Sequence, residues 1–299
     1  MKHAVIDIGS NSMRLTVYSV EKESFTVLFK EKIMAGLANY MEHGILTEEG
    51  IRRAGAGLLS FAKTLDHLEI TNISAFATAS LRNVHNSQQA AAAISQMVGF
   101  PIEVLSGEEE ATFGYVGAMQ DIAMDSGLFV DIGGASTELV EFEHGQVNQA
   151  SSFPIGSLKL YRDCVKRILP GNGSYERMEK ALKRELGKLP AQDLTSHQIA
   201  AVGGSARAAL KLSRTVFQLP QTCRSVTADQ LDEVFALLRS DQRTATDLIL
   251  KAAPERLHTL IPGLMILRHV VKTCQANEVI VSRYGVREGY LCQKIQSKL

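Results

Sequence analysis

The sequence has 299 residues, with 32 Lys and Arg against 32 Asp and Glu, and 45% of its residues are hydrophobic. This length allows two domains with full cores, and the zero net charge argues against a general nucleic-acid-binding protein. No apolar run approaches the roughly 20 residues that a membrane span needs, so we expect neither nucleic acid nor a membrane as a partner. The chain enters a strand at once, without a signal-peptide layout, and its four cysteines are scattered. Both features predict a cytoplasmic protein with free thiols.

The first half of the sequence predicts the element order βββαβαβα. Short runs of apolar, β-branched residues indicate strands, and apolar residues at helical spacing indicate amphipathic helices. Ser106 followed by acidic residues marks the start of the last helix of this half. The predicted segments are strands at 3–8, 13–20, 24–32, 70–77 and 102–105, and helices at 47–66, 86–98 and 106–124.

The second half predicts the same opening of three strands, followed by more helices. The predicted segments are strands at 127–132, 136–142, 147–153, 198–202 and 278–282, helices at 156–168, 174–187, from 206 onward, 227–239, 254–274 and 286–298, and a loop over 215–226. We therefore expect an N-terminal domain of residues 1–124 and a C-terminal domain of residues 125–299, with the boundary just after the helix of Glu110 or, as an alternative, inside it. As an alternative, the closing helix 286–299 packs back on the first domain.

Two stretches 124 residues apart repeat one strand–turn–strand pattern. Residues 7–12 read DIGSNS and residues 131–136 read DIGGAS, and Leu15 matches Leu139 at the same offset. An internal repeat of domain size predicts a duplicated domain. Two such hairpins, facing each other across a cleft, are typical of the actin-like ATPase and sugar-kinase superfamily. The predicted fold class is therefore α/β, with duplicated actin-like ATPase (ribonuclease H-like) domains and an active site in the interdomain cleft.

The composition of the two turns points to phosphate chemistry. A glycine turn brings backbone N–H groups together and lets a phosphate oxygen approach them. Asp131 and Glu138 frame the second turn, and hard carboxylate oxygens suit Mg²⁺. We predict Mg²⁺ or another divalent cation as cofactor, with Asp131 and Glu138 as its ligands and Asp7 as a third candidate ligand. The eight histidines show no metal-ligand spacing.

Four further segments have both a structural and a functional interpretation. The loop with Thr78, Ser80 and Arg82 is a helix cap with a solvated arginine or a phosphate contact. The acidic residues 108–110 complement a helix dipole, or one of them acts as a base. The turn 203–205 (GGS) is a common strand-to-helix connection or an anion site. For the arginines within 282–289 we favour an ion-pair network over a phosphate contact.

Together these segments resemble the exopolyphosphatase/guanosine pentaphosphate phosphohydrolase (Ppx/GppA) family. The matching stretches cover the chain nearly end to end: residues 7–12, 77–82, 105–111, 130–139, 153–156, 202–207 and 281–289. The resemblance implies that Glu110 is the catalytic base and that Asp131 and Glu138 support the metal and the water. It also implies substrate phosphate contacts from Gly9, Ser10, Asn11, Ser12, Arg82, Gly133, Gly134, Ser136, Gly203, Gly204 and Ser205.

The sequence departs from the family pattern in three respects. Ala135 stands where the family commonly has a third glycine, and alanine is tolerable there only with a negative φ. Arg283-Tyr284 replaces the usual Asp-Arg, which puts a carboxylate role at position 283 in doubt. The helical domains that longer members add after the two-domain core have no counterpart in this sequence.

We therefore expect hydrolysis of the terminal phosphoanhydride of inorganic polyphosphate, with guanosine pentaphosphate (pppGpp) as the alternative substrate. An actin-like ATP-binding kinase or regulatory module is the alternative from a different class. The resemblance also favours a homodimer. Residues 1–125 carry a net charge of −6 and residues 126–299 one of +6, which hints at an anionic partner for the second half. Solvated helix faces explain this asymmetry equally well.

Overall fold

The computed structural model describes residues 1–22, 24–187 and 197–296, and the chain divides into two compact units. The first unit comprises Met1–Phe113 and Arg287–Leu299, and the second comprises Gly114–Val286. The division thus falls inside the helix that begins at Gly107, earlier than the boundary predicted after residue 124. The closing segment groups with the first unit, as in the alternative packing considered above.

A five-stranded sheet forms the centre of the first unit. Its order is β3-β2-β1-β6-β7, in which β1–β3 form an antiparallel meander while β6 and β7 run parallel to β1. Up to the division the elements are β1 (Lys2–Ile8), β2 (Met13–Val20), β3 (Phe25–Ile33), a 3₁₀ turn (Leu37–Tyr40), β4 (Met41–Glu42), β5 (Ile45–Leu46), α1 (Glu48–His67), β6 (Ile73–Ala77), α2 (Ala79–Arg82), α3 (Ser87–Val98), β7 (Ile102–Val104) and α4 (Gly107–Met119).

The two faces of this sheet differ because side chains alternate along a strand. Ala4, Ile6 and Ile8 of β1 point to one face, where they share a core with apolar residues of α1 and α3. Asp7 therefore points to the opposite face. This alternation places the Asp7 carboxylate away from the main hydrophobic core of the first unit.

The second unit repeats the meander and then continues with parallel strands. Its sheet order is β10-β9-β8-β11-β13-β12, with β11 and β13 parallel to β8 and β12 antiparallel at the edge. The elements are β8 (Gly127–Ile132), β9 (Thr137–Glu143), β10 (Gln146–Phe153), α5 (Ser157–Cys164), α6 (Asn172–Leu186), β11 (Gln198–Val202), α7 (Gly203–Val216), β12 (Ser225–Thr227), α8 (Ala228–Ser240), α9 (Gln242–Ala252), a 3₁₀ turn (Pro254–Arg256), α10 (Leu260–Thr273), β13 (Glu278–Val281) and α11 (Val286–Tyr290).

The same topology in both units confirms the predicted fold class of duplicated actin-like, ribonuclease H-like α/β domains. In each unit the first strand of the meander is central, and a parallel strand lies beside it. The two glycine turns join equivalent strands, β1 to β2 and β8 to β9. The repeat in the sequence therefore corresponds to a repeat in the structure.

The segment after Val286 covers the second face of the first unit's sheet. Arg287 donates to Thr16 Oγ1 at 2.7 Å, and the Tyr18 hydroxyl donates to Glu288 at 2.8 Å. Further along, the Tyr290 ring stacks against Phe76 with centroids 5.0 Å apart. This second face of the sheet is thus buried by a segment that lies about 270 residues further along the chain.

Several element boundaries differ from the prediction. Helix α4 ends at Met119 instead of continuing to 124, and the segment predicted as one helix over 254–274 is a 3₁₀ turn followed by α10 from Leu260. Helix α9 was not predicted, although Asp241 caps it by accepting from Thr244 N at 2.8 Å. Strand β12 lies in the predicted loop, because its three residues form a strand only by pairing with β13. The end of the closing helix, residues 297–299, lies outside the described residues.

Candidate active site

The first glycine turn presents backbone N–H groups on one side. Gly9 N donates to Ser12 O at 3.2 Å, which closes the turn. The carbonyls of Ser10 and Asn11 accept hydrogen bonds of 2.9 Å each from N–H groups of the segment 36–38. In a trans peptide the N–H points opposite to the carbonyl, so the N–H groups of Asn11 and Ser12 point away from that segment. They are available to an anion on the other side of the turn.

The second glycine turn is built in the same way. Gly133 N donates to Ser136 O at 3.0 Å, and the carbonyls of Gly133 and Gly134 accept from the N–H groups of residues 157–159 at the start of α5, at 2.9 Å each. The N–H groups of Gly134 and Ala135 therefore point away from α5. Ala135 is not among the residues with positive φ, so the alanine fits this turn without strain.

Most of the predicted hydroxyl contacts are buried beside the turns. Ser10, Ser12 and Ser136 are at most 9% exposed. Ser205 is 2% exposed, and its hydroxyl lies against Gly263 of α10 and has no hydrogen-bond partner among the described residues. The structure thus buries these predicted hydroxyls, and that of Ser205 lies against α10.

Two carboxylates lie side by side at the second turn. Asp131 and Glu138 are directly opposite each other on β8 and β9, and opposite residues of an antiparallel pair have Cβ atoms about 4.5–5.5 Å apart. Glu138 is 1% exposed and accepts from Ser152 Oγ at 2.8 Å. Gly203 lies close to the Asp131 carboxylate, since a Cβ at position 203 would be only 2.5 Å from Asp131 Oδ1. The turn between β11 and α7 therefore lies against the Asp131 carboxylate.

The equivalent pair in the first unit is not a pair of carboxylates. Asp7 lies opposite Arg14 on β1 and β2, at the positions that correspond to Asp131 and Glu138. Burial raises the pKa of Asp7, while the charges of Arg14 and Arg287 oppose this shift. The residue opposite the aspartate thus differs between the two units, an arginine in the first and a glutamate in the second.

Adjacent glutamates of α4 have different partners. Ser106 and Glu109 form a reciprocal cap, in which Glu109 N donates to Ser106 Oγ at 3.1 Å and Ser106 N donates to Glu109 Oε2 at 2.9 Å. Glu110 is 8% exposed, and Arg82 Nη1 donates to its Oε2 at 2.6 Å. Arg82 also donates to Leu105 O at 3.3 Å. The structure thus joins two predicted site residues, Arg82 and Glu110, in one buried ion pair.

Sequence reasoning missed Arg256. Its guanidinium lies directly over Gly204, where any Cβ would collide with it. Glycine is therefore required at 204 for the arginine to approach the backbone of the turn. Arg256 comes from the 3₁₀ turn after α9, about 50 residues further along the chain, and no spacing or motif in the sequence indicates this approach.

Arg283 belongs to a network around Asp121, which confirms the ion-pair interpretation of this arginine. The Asp121 side chain is 2% exposed and accepts from Arg283 Nη2 at 2.7 Å, from Arg224 Nη1 at 3.0 Å and from Ser282 Oγ at 3.1 Å. Burial alone would raise the pKa of Asp121, but the hydrogen bonds from Arg283 and Arg224 outweigh it and lower the pKa to about 2. The carboxylate of this region thus comes from Asp121 and not from position 283.

Two negative observations concern the described part of the chain. Its His, Cys, Asp and Glu side chains form no group of three or more that could hold a metal ion. None of its helices has both the length and the apolar character that a membrane span requires.

Comparisons with known proteins agree with this architecture. A 1.50 Å crystal structure of an exopolyphosphatase from Cytophaga hutchinsonii is 22% identical with a TM-score of 0.86, covering 100% of this chain and 99% of that one. A Ppx/GppA family member from Aquifex aeolicus is 23% identical with a TM-score of 0.82, covering 100% and 98%. A structure of the Aquifex aeolicus PPX-GPPA enzyme is 25% identical with a TM-score of 0.79, covering 98% and 99%.

At this level of identity the solved structures establish a common fold. The sequence profile of the Ppx/GppA phosphatase family matches residues 16–298, which is nearly the whole chain. The chain therefore belongs to the Ppx/GppA phosphatase family.

Proposed function

We propose that this protein hydrolyses the terminal phosphoanhydride bond of inorganic polyphosphate and releases orthophosphate. Water attacks the end phosphorus, the bond from that phosphorus to the bridging oxygen breaks, and a chain shorter by one phosphate leaves. Glu110 accepts a proton from the attacking water. Such a reaction depends mainly on positioning and on stabilisation of negative charge.

The observation that carries the proposal is that Glu109 and Glu110 have different hydrogen-bond partners. Both oxygens needed for the helix cap come from Ser106 and Glu109, so Glu110 is not required for capping. The ion pair with Arg82 fixes the orientation of its carboxylate. A fixed carboxylate that is 8% exposed suits a general base, which must be held within hydrogen-bond reach of its proton donor.

The two glycine turns supply the charge stabilisation in this proposal. The N–H groups of Asn11, Ser12, Gly134 and Ala135 are oriented by the carbonyl hydrogen bonds described above. Preorganised backbone donors stabilise developing negative charge without reorganisation during the reaction. Arg256, which lies over Gly204, adds a positive charge at the second turn.

The residues of the second turn fit a divalent cation. Mg²⁺ commonly binds proteins through one or two carboxylates and takes its remaining ligands from substrate phosphates and water. The pair Asp131 and Glu138 provides this number of hard oxygen donors on adjacent strands. When bound, the cation would neutralise phosphate charge and polarise the scissile bond. Asp7 is a weaker candidate, because Arg14 lies opposite it.

Phosphate release from long-chain polyphosphate, pppGpp and ATP, measured side by side with Mg²⁺, tests the proposal. We expect the highest kcat/KM for polyphosphate and a fall in kcat of about 10²–10⁴-fold in the variant Glu110→Gln. A higher kcat/KM for pppGpp would select the nucleotide phosphohydrolase instead. Hydrolysis or transfer confined to ATP would select the kinase or ATP-binding class.

A further inference from the structure

A cavity of about 190 Å³ lies in the second unit between the end of α5 and the start of α6. Three basic side chains line it, those of Lys166, Arg167 and Arg177, together with the glycine-rich turn 171–173. Its described lining residues include no Asp or Glu. The cavity is therefore strongly cationic, although the chain as a whole has no net charge.

Hydrogen bonds hold the walls of this cavity in place. Arg177 donates from Nε and Nη2 to Cys164 O, at 3.0 and 2.7 Å, and from Nη2 to Ser174 Oγ at 3.1 Å. The Tyr161 hydroxyl donates to Arg167 O at 3.0 Å. The bonds from Arg177 to Cys164 O join α6 to the end of α5, and the bond from Tyr161 ties the loop with Lys166 and Arg167 to α5. A ligand would find the site largely formed, so that less ordering entropy opposes binding.

Two carboxylates that are close in sequence to the cavity residues are engaged with other groups. Asp163 pairs with Lys159 at 3.1 Å. Asp241, which directly precedes the lining residue Gln242, accepts from Thr244 N at 2.8 Å as the cap of α9. Neither carboxylate pairs with a basic residue of the cavity wall in these contacts. The positive charge of the cavity is therefore directed at an external anion.

Helix α5 connects the cavity to the second glycine turn. The first residues of α5 donate to the carbonyls of Gly133 and Gly134, and the loop with Lys166 follows its end at Cys164. Eight residues of α-helix span about 12 Å. A phosphate at the N–H groups of Gly134 and Ala135 lies on the side of the turn away from α5, so only an extended polymer that passes around the turn touches both places, and a short phosphate chain bound there does not.

We propose that this cavity is a second binding site for the polyphosphate chain, which takes interior phosphates while the chain end is at the glycine turn. The proposal rests on the proposed function and adds a basis for chain-length preference. Long polyphosphate gains charge-assisted contacts with Lys166, Arg167 and Arg177 that tripolyphosphate and pppGpp do not reach.

The test is the double substitution Lys166→Ala and Arg167→Ala, which spares Arg177 and its structural hydrogen bonds. The matched control is Lys180→Ala with Lys251→Ala, which removes two exposed charges of the same unit outside the cavity. We expect KM for long-chain polyphosphate to rise about tenfold in the cavity variant, since hydrogen bonds to charged groups are each worth a few-fold or more. Tripolyphosphate kinetics should not change, and neither should the control.

Three results would overturn the site. These are an equal rise in KM for tripolyphosphate, an equal rise in the control variant, or an unchanged KM for long polyphosphate. Equilibrium binding of long-chain polyphosphate and of inorganic phosphate to the same variants separates this failure from failure of the proposed function. If the unmodified protein hydrolyses no polyphosphate, the proposed function fails, and weaker polymer binding to the cavity variant still supports the site. If only orthophosphate binding changes, the cavity holds a free anion and the polymer assignment is wrong.

Discussion

The partners of Glu109 and Glu110 lead to opposite expectations for two neighbouring substitutions. Glu110→Gln keeps the shape of the side chain but removes its ability to accept a proton, so we expect kcat to fall about 10²–10⁴-fold while substrate binding is retained. Glu109→Gln weakens a cap that Ser106 shares, so it should cost about 1 kcal/mol of stability at most and leave kcat nearly unchanged. Steady-state kinetics and polyphosphate binding measure both effects. A large loss in Glu109→Gln together with an active Glu110→Gln would contradict the assignment.

Asp131 lies opposite a glutamate and Asp7 lies opposite an arginine, so we expect their substitutions to change the Mg²⁺ dependence to different extents. Asp131→Asn removes one of two adjacent carboxylates and should raise the Mg²⁺ concentration at half-maximal rate. Asp7→Asn removes a carboxylate that lies opposite Arg14 and should shift this concentration less. Metal titrations of both variants, with circular dichroism as a check on folding, measure the effect. An unchanged midpoint in Asp131→Asn would exclude it as a ligand.

At the level of residues, the sequence indicates the parts of the site that are local. Residues 7–12 and 131–136 form their turns from consecutive residues, so a repeated motif reveals them. The approach of Arg256 to Gly204 depends on how helices of the second unit pack, and no local pattern encodes it. The burial of Ser205 against Gly263 is hidden for the same reason, since a serine after two glycines is equally typical of a phosphate site and of a helix start.

Between elements, the network around Asp121 joins the end of α4 to β13 and to the segment before β12. Its carboxyl has a pKa of about 2 when folded, below the ordinary value near 3.9, so the ion pairs stabilise the protein above pH 4. This contribution is lost as the pH falls from about 4 towards 2. It amounts to no more than about 2 kcal/mol, because solvent around Arg283, which is 71% exposed, screens part of it.

The variant Asp121→Asn tests this contribution. It should be less stable than the unmodified protein at pH 7, and the difference should shrink as the pH falls from about 4 towards 2, because the Asp121 carboxyl becomes protonated over this range. Urea unfolding at a series of pH values measures it. A difference in the free energy of unfolding that stays constant across this pH range would mean that the network stabilises the protein through packing and not through charge.

The contact between β2 and α11 gives a prediction for stability. Tyr18→Phe removes the hydrogen bond to Glu288, which is 1% exposed, and should cost about 1.5–3 kcal/mol, as expected for a buried bond to a charged group. Tyr290→Phe is the matched control, because its partner Glu103 is 38% exposed and keeps the ion pair with Lys294. Its cost should be smaller. Equal destabilisation of the two variants in urea unfolding would show that burial of the acceptor carboxylate does not determine the cost of losing the hydrogen bond.

Element types were predictable where a strand or helix carries its own periodic pattern. The meanders β1–β3 and β8–β10 and helix α1 follow from alternating or helical apolar spacing. Helix α9 has its cap at Asp241 and apolar residues at helical spacing, so the sequence does carry a local signal for it that the prediction missed. Strand β12, by contrast, has three residues and depends on pairing with β13. Its existence depends on tertiary contacts, which a single sequence does not display.

For the whole molecule, the repeat predicts that both glycine turns contact the same phosphate chain. Addition of long-chain polyphosphate to the inactive variant Glu110→Gln should then slow amide hydrogen exchange in residues 9–12 and in residues 133–136. Exchange measured by mass spectrometry with and without the polymer tests this. Protection confined to one turn would mean that the other is only a remnant of the duplication.

The duplication itself was predictable, because identical residues recur at one offset and the offset equals the size of a domain. The point of division is predictable only as lying in α4 or just after it, because α4 is one continuous helix and its sequence has no break at Phe113. The sequence indicates only as an alternative that Arg287 and the residues after it pack on the first unit. The contact between Tyr18 and Glu288 cannot be predicted from the sequence around either residue.

The second unit interrupts the first along the chain, and this order has a consequence for biosynthesis. A ribosome completes residues 114–286 before it makes the segment that covers Thr16, Tyr18 and Phe76. At about 5–20 residues per second this takes roughly 10–30 s. During that time the nascent first unit has an uncovered sheet face, while the second unit is continuous and can fold as soon as it has emerged. Nascent chains paused before residue 287 should therefore bind chaperones through their N-terminal unit, and they should lose this binding once Arg287 to Lys294 have been added.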